Sequence, residues 1–243
     1  LNTFDSVQAQ GAGRIARIAA EEGVANLVHL SSIGADAGSD SEYQRTKAAG
    51  EAAVLSAYPS AVILRPSIIF GNEDGFFNRF AAMARIAPVL PVVGANTRFQ
   101  PVYVDDVAQA AVKGITGQAA PGIYELGGPD TETFRDLMRQ MLTVIHRRRL
   151  ILNVPFIAAS VMGGAFDLLQ AVTLGLFQNG MITRDQVRNL KADNVVSPGA
   201  RTLADLGITP TAMGAVLPEY LWRYRPSGQY AAIKDSAKNL RKA

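Results

Sequence analysis

The stretch from residue 27 to residue 71 limits the folds open to this chain more than any other. Leu27-Val28-His29-Leu30 is a short apolar run of the kind that forms a buried strand, and Ser31 and Ser32 stand at its carboxyl end. After a loop of small and acidic residues, Ser41 with Gln44 forms a capping-box signature. A helix therefore starts there and runs through Lys47, Glu51 and Val54 until Tyr58-Pro59 stops it. Ala61 to Phe70 reads as a second core strand. This order predicts an α/β chain built on a parallel sheet.

The same stretch carries chemistry. Tyr43 and Lys47 are four residues apart, so their side chains share one helix face. A cation beside a phenol favours the phenolate and readies the tyrosine for proton transfer. Ser32, or Ser31 in its place, can hold a substrate oxygen from the adjacent strand end. His29, on an apolar strand, reads as a satisfied core residue. The plain alternatives are a half-buried helix tyrosine, a solvated lysine and serines serving only the turn.

Composition closes off other functions. The chain has no cysteine, which excludes disulfides and thiolate metal sites, and its two histidines, far apart, make no metal site. A formal net charge of +3 with dispersed basic residues argues against a nucleic-acid partner. The amino terminus lacks a signal-peptide pattern. The apolar segment from Leu150 to Phe177 is broken by Asn153, Pro155, Asp167 and Gln170, so a spanning helix is not expected.

Elsewhere the signals are local. Residues 1 to 22 read as a helix ended by Gly23. Within it Gly11-Ala12-Gly13-Arg14-Ile15-Ala16 matches a dinucleotide fingerprint in letters only, because Ser6-Val7-Gln8-Ala9-Gln10 is not the buried strand such a turn requires. Phe76, Phe80, Met83 and Ala84 space a helix over 75–86, broken by Pro88 to Pro91. Asp105 reads as the N-cap of a helix over 106–115 that follows the strand Val102-Tyr103-Val104, and Ile123 to Leu126 gives a further strand. Thr133 caps a helix with an apolar stripe of Phe134, Leu137, Met138, Met141, Leu142 and Ile145. It ends in His146-Arg147-Arg148-Arg149, which serves either as cations on a helix C-terminus or, with the apolar residues up to 177, as an anchor on an anionic bilayer surface. Residues 183–191 read as a capped helix and Leu203 to Ile208 as a turn-ended segment. Tyr220 to Pro226, where aromatics alternate with cations, reads as an interface or covering helix. Residues 234–243 read as a frayed tail.

Five stretches together resemble a known family. They are His29-Leu30-Ser31-Ser32-Ile33-Gly34-Ala35-Asp36, Tyr43-Gln44-Arg45-Thr46-Lys47, Ile68-Ile69-Phe70-Gly71-Asn72-Glu73-Asp74, Gln100-Pro101-Val102-Tyr103-Val104-Asp105-Asp106-Val107 and Ile182-Thr183-Arg184-Asp185-Gln186-Val187. The chain resembles the extended short-chain dehydrogenase/reductases, the epimerase/dehydratase-like branch, and within them the NAD(P)H-binding accessory subunit family of respiratory complex I. The resemblance implies a Rossmann-type doubly wound parallel sheet lacking its first strands and glycine fingerprint, which would lie upstream of Leu1. It implies a dinucleotide-binding part over 1–72 and 100–128, a smaller, mostly helical part over 73–99 and 129–225, and a tail over 226–243. It implies NAD or NADP as cofactor, held by Tyr43 and Lys47, with Pro66, Ser67 and Ile68 beside the nicotinamide, and no metal. The implied partners are respiratory complex subunits, on the cytoplasmic or matrix side of the membrane, with peripheral bilayer contact through 146–177. A soluble NAD(P)-dependent reductase, epimerase or dehydratase working through Ser32 or Ser31, Tyr43 and Lys47 is the alternative, and a redox-sensing regulator a third. Ala35-Asp36-Ala37 departs from the Val-Tyr-Gly common in the enzymes of this branch, which tells against a nucleotide-sugar substrate.

Overall fold

A computed structural model describes residues 3–172 and 183–230, so the tail over 234–243 and the last residues of the 146–177 segment lie outside the described residues. The chain opens with a π-helical stretch, Asp5–Gly11, that runs directly into α1, Ala12–Glu21. Gly23, at φ 66°, ends it, and the Val24 N–H turns back to donate to the Ala19 carbonyl at 2.9 Å. Next come β1, Val28–Leu30, and α2, Glu42–Ala57. The Ser41 hydroxyl accepts the Gln44 N–H as the capping signature requires, but the reciprocal bond is not made. Ser39 intervenes, its hydroxyl accepting the Ser41 N–H at 3.0 Å and donating to the Gln44 side chain.

The single strand expected over 61–70 is two, β2, Val62–Pro66, and β3, Ile69–Phe70. The reason is a change of neighbour. The Ser67 N–H still reaches the Leu126 carbonyl, whereas the Ile68 carbonyl already accepts the Val102 N–H. Then follow α3, Phe77–Ile86, β4, Val89–Val93, β5, Arg98–Phe99, β6, Val102–Tyr103, and α4, Val104–Ile115. After them come β7, Gly122–Leu126, β8, Glu132–Thr133, α5, Phe134–Val144, β9, Leu150–Val154, α6, Phe156–Val172, α7, Arg184–Asn189, and α8, Met213–Leu221.

The main sheet has the order β1-β2-β7, all parallel, with Leu30 opposite Leu64 and Leu64 opposite Tyr124. Helices cover both faces. Ala16, Ala19, Val54 and Tyr58 of α1, α2 and the adjoining turn close one side, while Val107 and Ala110 of α4 pack with Leu203, Leu206 and Ile208 against Val62 and Leu64 on the other. This is the doubly wound parallel architecture expected. A second core gathers Phe70, Phe77, Leu90 and Leu217 around α5, whose stripe of Phe134, Leu137, Met138, Met141, Leu142 and Ile145 is buried throughout. The parallel pair β4·β9 lies in this part, one of its strands built around Pro91.

Two further expectations are corrected. β1 is not buried, since Leu30 is 48% exposed and among the described residues no strand pairs with its outer edge. Asp105 is not an N-cap. The helix begins at Val104, directly after β6, so Asp105 falls in its first turn, and Asp106 accepts the Thr211 N–H at 2.7 Å and the Thr211 hydroxyl at 3.0 Å. The long apolar segment after Arg149 is first a strand, β9, and only after Pro155 a helix.

The glycines of the fingerprint-like run lie inside the amino-terminal helix, where they serve packing. A Cβ on Gly13 would stand 2.9 Å from the Ala53 Cβ, and one on Gly50 only 2.3 Å from the Gln8 carbonyl oxygen. The two helices approach this closely because those positions have no side chain. Gly50→Ala is expected to lower unfolding free energy by about 1–3 kcal/mol through overpacking. Gly214→Ala, at an exposed site in α8 where a Cβ meets nothing within 4 Å, is expected to raise it by roughly 0.5–1 kcal/mol. Urea midpoints of the two variants check both signs.

Candidate functional site

Two contacts from distant parts of the chain set the position of α2. Glu51 is buried and its carboxylate takes the Arg65 Nε–H at 2.8 Å from the central strand, so the helix cannot rotate without breaking a buried ion pair. The second contact is Asp185 in α7. Its carboxylate accepts the Ser41 hydroxyl at 2.8 Å, the Glu42 N–H at 2.8 Å and the Tyr43 N–H at 3.1 Å. An anion at a helix N-terminus meets both the unpaired N–H groups and the positive end of the dipole. Tyr43, Lys47 and Glu51 recur every four residues and so share a face. The ion pair at Glu51 therefore turns Tyr43 and Lys47 toward the carboxyl ends of the strands.

There the expected residues come together. The Lys47 ammonium donates to the Leu30 carbonyl at 3.3 Å and lies 5.8 Å from the centre of the Tyr43 ring. Partial burial lowers its pKa from the ordinary lysine value, with Glu51 pulling the other way. Ser31 and Ser32 follow Leu30 directly, and their hydroxyl oxygens are buried with no hydrogen-bond partner among the described residues. Main-chain bonds from Ser31 N–H to the Leu64 carbonyl (2.7 Å) and from Ile33 N–H to the Pro66 carbonyl (3.0 Å) bring Pro66, Ser67 and Ile68 alongside. Phe4 packs edge-on against Tyr43, ring centres 5.9 Å apart.

Of the strand-end residues, Ser67 has its hydroxyl already committed, donating to the Asn194 main-chain carbonyl at 3.0 Å and within 2.6 Å of its side-chain oxygen. Pro66 is buried, and Ile68 lines an apolar cavity of about 370 Å³ with Phe76, Phe80 and Phe134. His29 differs from its expected role. Its Nε2 is buried without a partner among the described residues, and burial, then the Lys47 charge, lowers its pKa. It belongs to the site's electrostatics, lining with Leu30 and Lys47 a groove of about 500 Å³ along the open edge of β1.

The arrangement offers a partly desolvated ammonium, a phenol and two orphaned hydroxyls, which fits the sugar and reactive-ring end of a nicotinamide dinucleotide. The diphosphate end has no counterpart, because among the described residues no glycine-rich turn joins a strand to a helix N-terminus. Asp185, Glu51 and Arg65 were missed as positioning residues. The Thr183–Gln186 capping box that frames Asp185 is a local signal, but nothing local says that its carboxylate caps a second helix.

Over 231 residues the chain is 34% identical to the NADH dehydrogenase (ubiquinone) 1 alpha subcomplex subunit 9, mitochondrial, of Arabidopsis thaliana, covering 93% of this chain and 58% of that protein. It is 32% identical over 229 residues to the NADH-ubiquinone oxidoreductase 40 kDa subunit, mitochondrial, of Neurospora crassa, covering 94% and 58%. The chain thus spans a little over half the length of these curated relatives. Among solved structures, the dTDP-glucose 4,6-dehydratase DesIV of Streptomyces venezuelae superposes with a TM-score of 0.62 at 18% identity, covering 94% of this chain and 69% of that one, which shows the shared fold. The model of the RmlD substrate binding domain matches residues 3–155, more than half of the chain, and the protein belongs to that family.

Proposed function

We propose that the protein is an NAD(P)H-binding accessory subunit of a respiratory complex I assembly, held peripherally on the cytoplasmic or matrix side of the membrane. The observation that carries this reading is identity of 34% sustained over 93% of the chain with a mitochondrial subunit of that kind. Among the described residues no helix is long and apolar enough to cross a membrane, so the reading takes the contact as peripheral, through 146–177. Bound NAD(P)H would supply hydride chemistry. Of the chain's own groups, Lys47 and Tyr43 would hold the ribose next to the nicotinamide, and Pro66, Ser67 and Ile68 would stand beside the ring. NAD and NADP both fit this half of the site. Native-gel fractionation of membranes from cells making the tagged protein is expected to place it with a large NADH-oxidising band. Migration as a small soluble species would remove the subunit role.

Binding should follow the charge on Lys47. Its lowered pKa means that the ammonium gives up its proton at a lower pH than a free lysine does. NADH affinity, followed by fluorescence titration, is expected to be full below that depressed midpoint and to fall as pH rises through it. Lys47→Met should bind weakly at every pH and show no such step, and a flat wild-type profile would exclude the ammonium from the contact.

One observation favours a second reading, a soluble NAD(P)-dependent reductase, epimerase or dehydratase. The Ser31 and Ser32 hydroxyls are buried without partners, and a substrate carbonyl or hydroxyl would satisfy one of them. In that reading Tyr43 exchanges the proton at the substrate oxygen, the serine orients that oxygen, and Lys47 holds both phenol and ribose. Tyr43→Phe would then lower turnover roughly 10²–10⁴-fold while sparing NADH affinity. Unchanged turnover in this variant would eliminate the enzyme role for Tyr43.

A further inference from the structure

The carboxyl end of α5 carries more positive charge than the fold uses. The helix stops at Ile145, and His146, at φ 53°, takes the left-handed position usually given to glycine. The Arg147 N–H turns back to the Leu142 carbonyl at 3.0 Å. This reversal brings Arg147, Arg148 and Arg149 beside Arg135 and Arg139 of the helix itself, and with His146 they line an open cleft of about 740 Å³.

Little on the protein neutralises them. Arg139 pairs with Asp136 at 2.9 Å, but among the described residues Arg135, Arg147, Arg148 and Arg149 have no carboxylate partner. The Arg147 and Arg149 Nε–H groups are held by main-chain carbonyls, of Tyr224 at 2.9 Å and Ala84 at 2.8 Å, which aims the guanidinium groups without cancelling their charge. The Arg135 Nε is buried and, among the described residues, makes no hydrogen bond. Arg147 holds its proton less tightly than an ordinary arginine because burial and its neighbours Arg149 and Arg85 disfavour the cation. A helix C-terminus offers roughly half an elementary charge, too little for the three guanidinium groups of Arg147, Arg148 and Arg149, and Arg135, in the first turn of α5, lies where the dipole disfavours a cation.

The rim identifies the anion's carrier. Leu150, 65% exposed, lines the cleft, and Leu152, 51% exposed, follows it on the same face of β9. Ile86, 90% exposed, ends α3 just after the carbonyl that holds Arg149. An acidic peptide would meet the cations and leave these aliphatic groups in water. A bilayer surface meets both, phosphates at the arginines and acyl chains at the rim.

We propose that this cleft and its aliphatic rim bind the phosphate headgroup of an anionic membrane lipid. The inference rests on the peripheral membrane contact proposed above and needs neither the dinucleotide nor the respiratory partner. The test is flotation of the full-length protein with phosphatidylcholine vesicles that do or do not contain phosphatidylglycerol. Binding is expected only with phosphatidylglycerol, and the combined Arg147→Gln, Arg148→Gln, Arg149→Gln variant is expected to bind on the order of a hundredfold more weakly. Arg148→Glu serves as a variant safe for the fold, since among the described residues no hydrogen bond or ion pair uses its side chain, and it too should lose vesicle affinity. Removing the same charge at Arg14, Arg17 and Lys113 should leave binding in place. The proposal is overturned if the wild-type protein ignores both vesicles, or if the Arg148 variant binds as well as the wild type. Equal loss in the Arg14, Arg17, Lys113 variant would overturn it as a net-charge effect. Displacement by inorganic phosphate alone would assign the cleft to a free anion, and capture by polyglutamate without vesicle binding would assign it to an acidic polypeptide. Native-gel migration of Arg148→Glu separates the two readings, because loss of vesicle binding with unchanged migration leaves the respiratory role standing by itself.

Discussion

Arg65 stands at the centre of the molecule and most of the candidate site depends on it. It lies on the middle strand of the main sheet, between Glu51 of α2 and Glu125 of β7, and both carboxylates are buried. Two buried carboxylates with no cation between them would cost several kcal/mol each, so the guanidinium group is required, and its pairing with Glu51 raises its own pKa. Glu125 has a further donor in the Ser197 N–H at 2.7 Å, which ties the 194–201 segment to the same cluster. The consequence is geometrical. Glu51 is the lowest member of the Tyr43, Lys47, Glu51 face, so one ion pair fixes the rotation of the helix and with it the aim of the phenol and the ammonium.

Rotation is only one of the helix's freedoms. Asp185 limits sliding along the axis, because its two oxygens meet three donors in the first turn of α2. Close approach of the amino-terminal helix at Gly13 and Gly50 limits lateral movement. A side chain at either glycine would push the helices apart and carry Tyr43 away from the strand ends. The amino-terminal segment also adds Phe4 as an edge-on neighbour for the Tyr43 ring. Position at this site is thus set by groups that never touch a ligand, as pre-organised sites require.

How much of this could be read in advance follows the distance over which each signal acts. The caps at Ser41, Thr133 and Thr183 and the stripe on α5 are written within one or two turns, and each of those helices is found close to where it is expected. The Tyr43 and Lys47 pair is equally local. What depended on remote partners was not legible. Asp185 lies 142 residues from Tyr43, and the bond between them has no sequence signature. The strand after Ala61 splits in two because its neighbour changes from β7 to β6, a fact of topology and not of periodicity. Asp105 looked like a cap because aspartate before a helix usually is one, but β6 runs into α4 without a linker and moves the start back to Val104. β9 was obscured for a similar reason, since an apolar run of that length reads equally as strand or helix until a partner, here β4, decides it.

Two charged helix ends in this protein obey one rule and come to different results. At the N-terminus of α2 a single carboxylate faces several main-chain and hydroxyl donors, and every strong bond it can make is made inside the protein. At the C-terminus of α5 the sign is again the one that the dipole favours, but Arg147, Arg148 and Arg149 carry several times what the dipole can balance, and the cleft they line also takes in Arg135 of the helix's first turn, whose Nε is buried without an acceptor among the described residues. Charge that is fully spent internally holds a fold together. Charge left over, aimed by main-chain anchors into an open cleft and bordered by exposed aliphatic groups, contributes little to folding and is oriented toward something outside. By that criterion Asp185 is part of the scaffold of the candidate site, whereas the arginines after α5 are left available for the lipid contact proposed for their cleft.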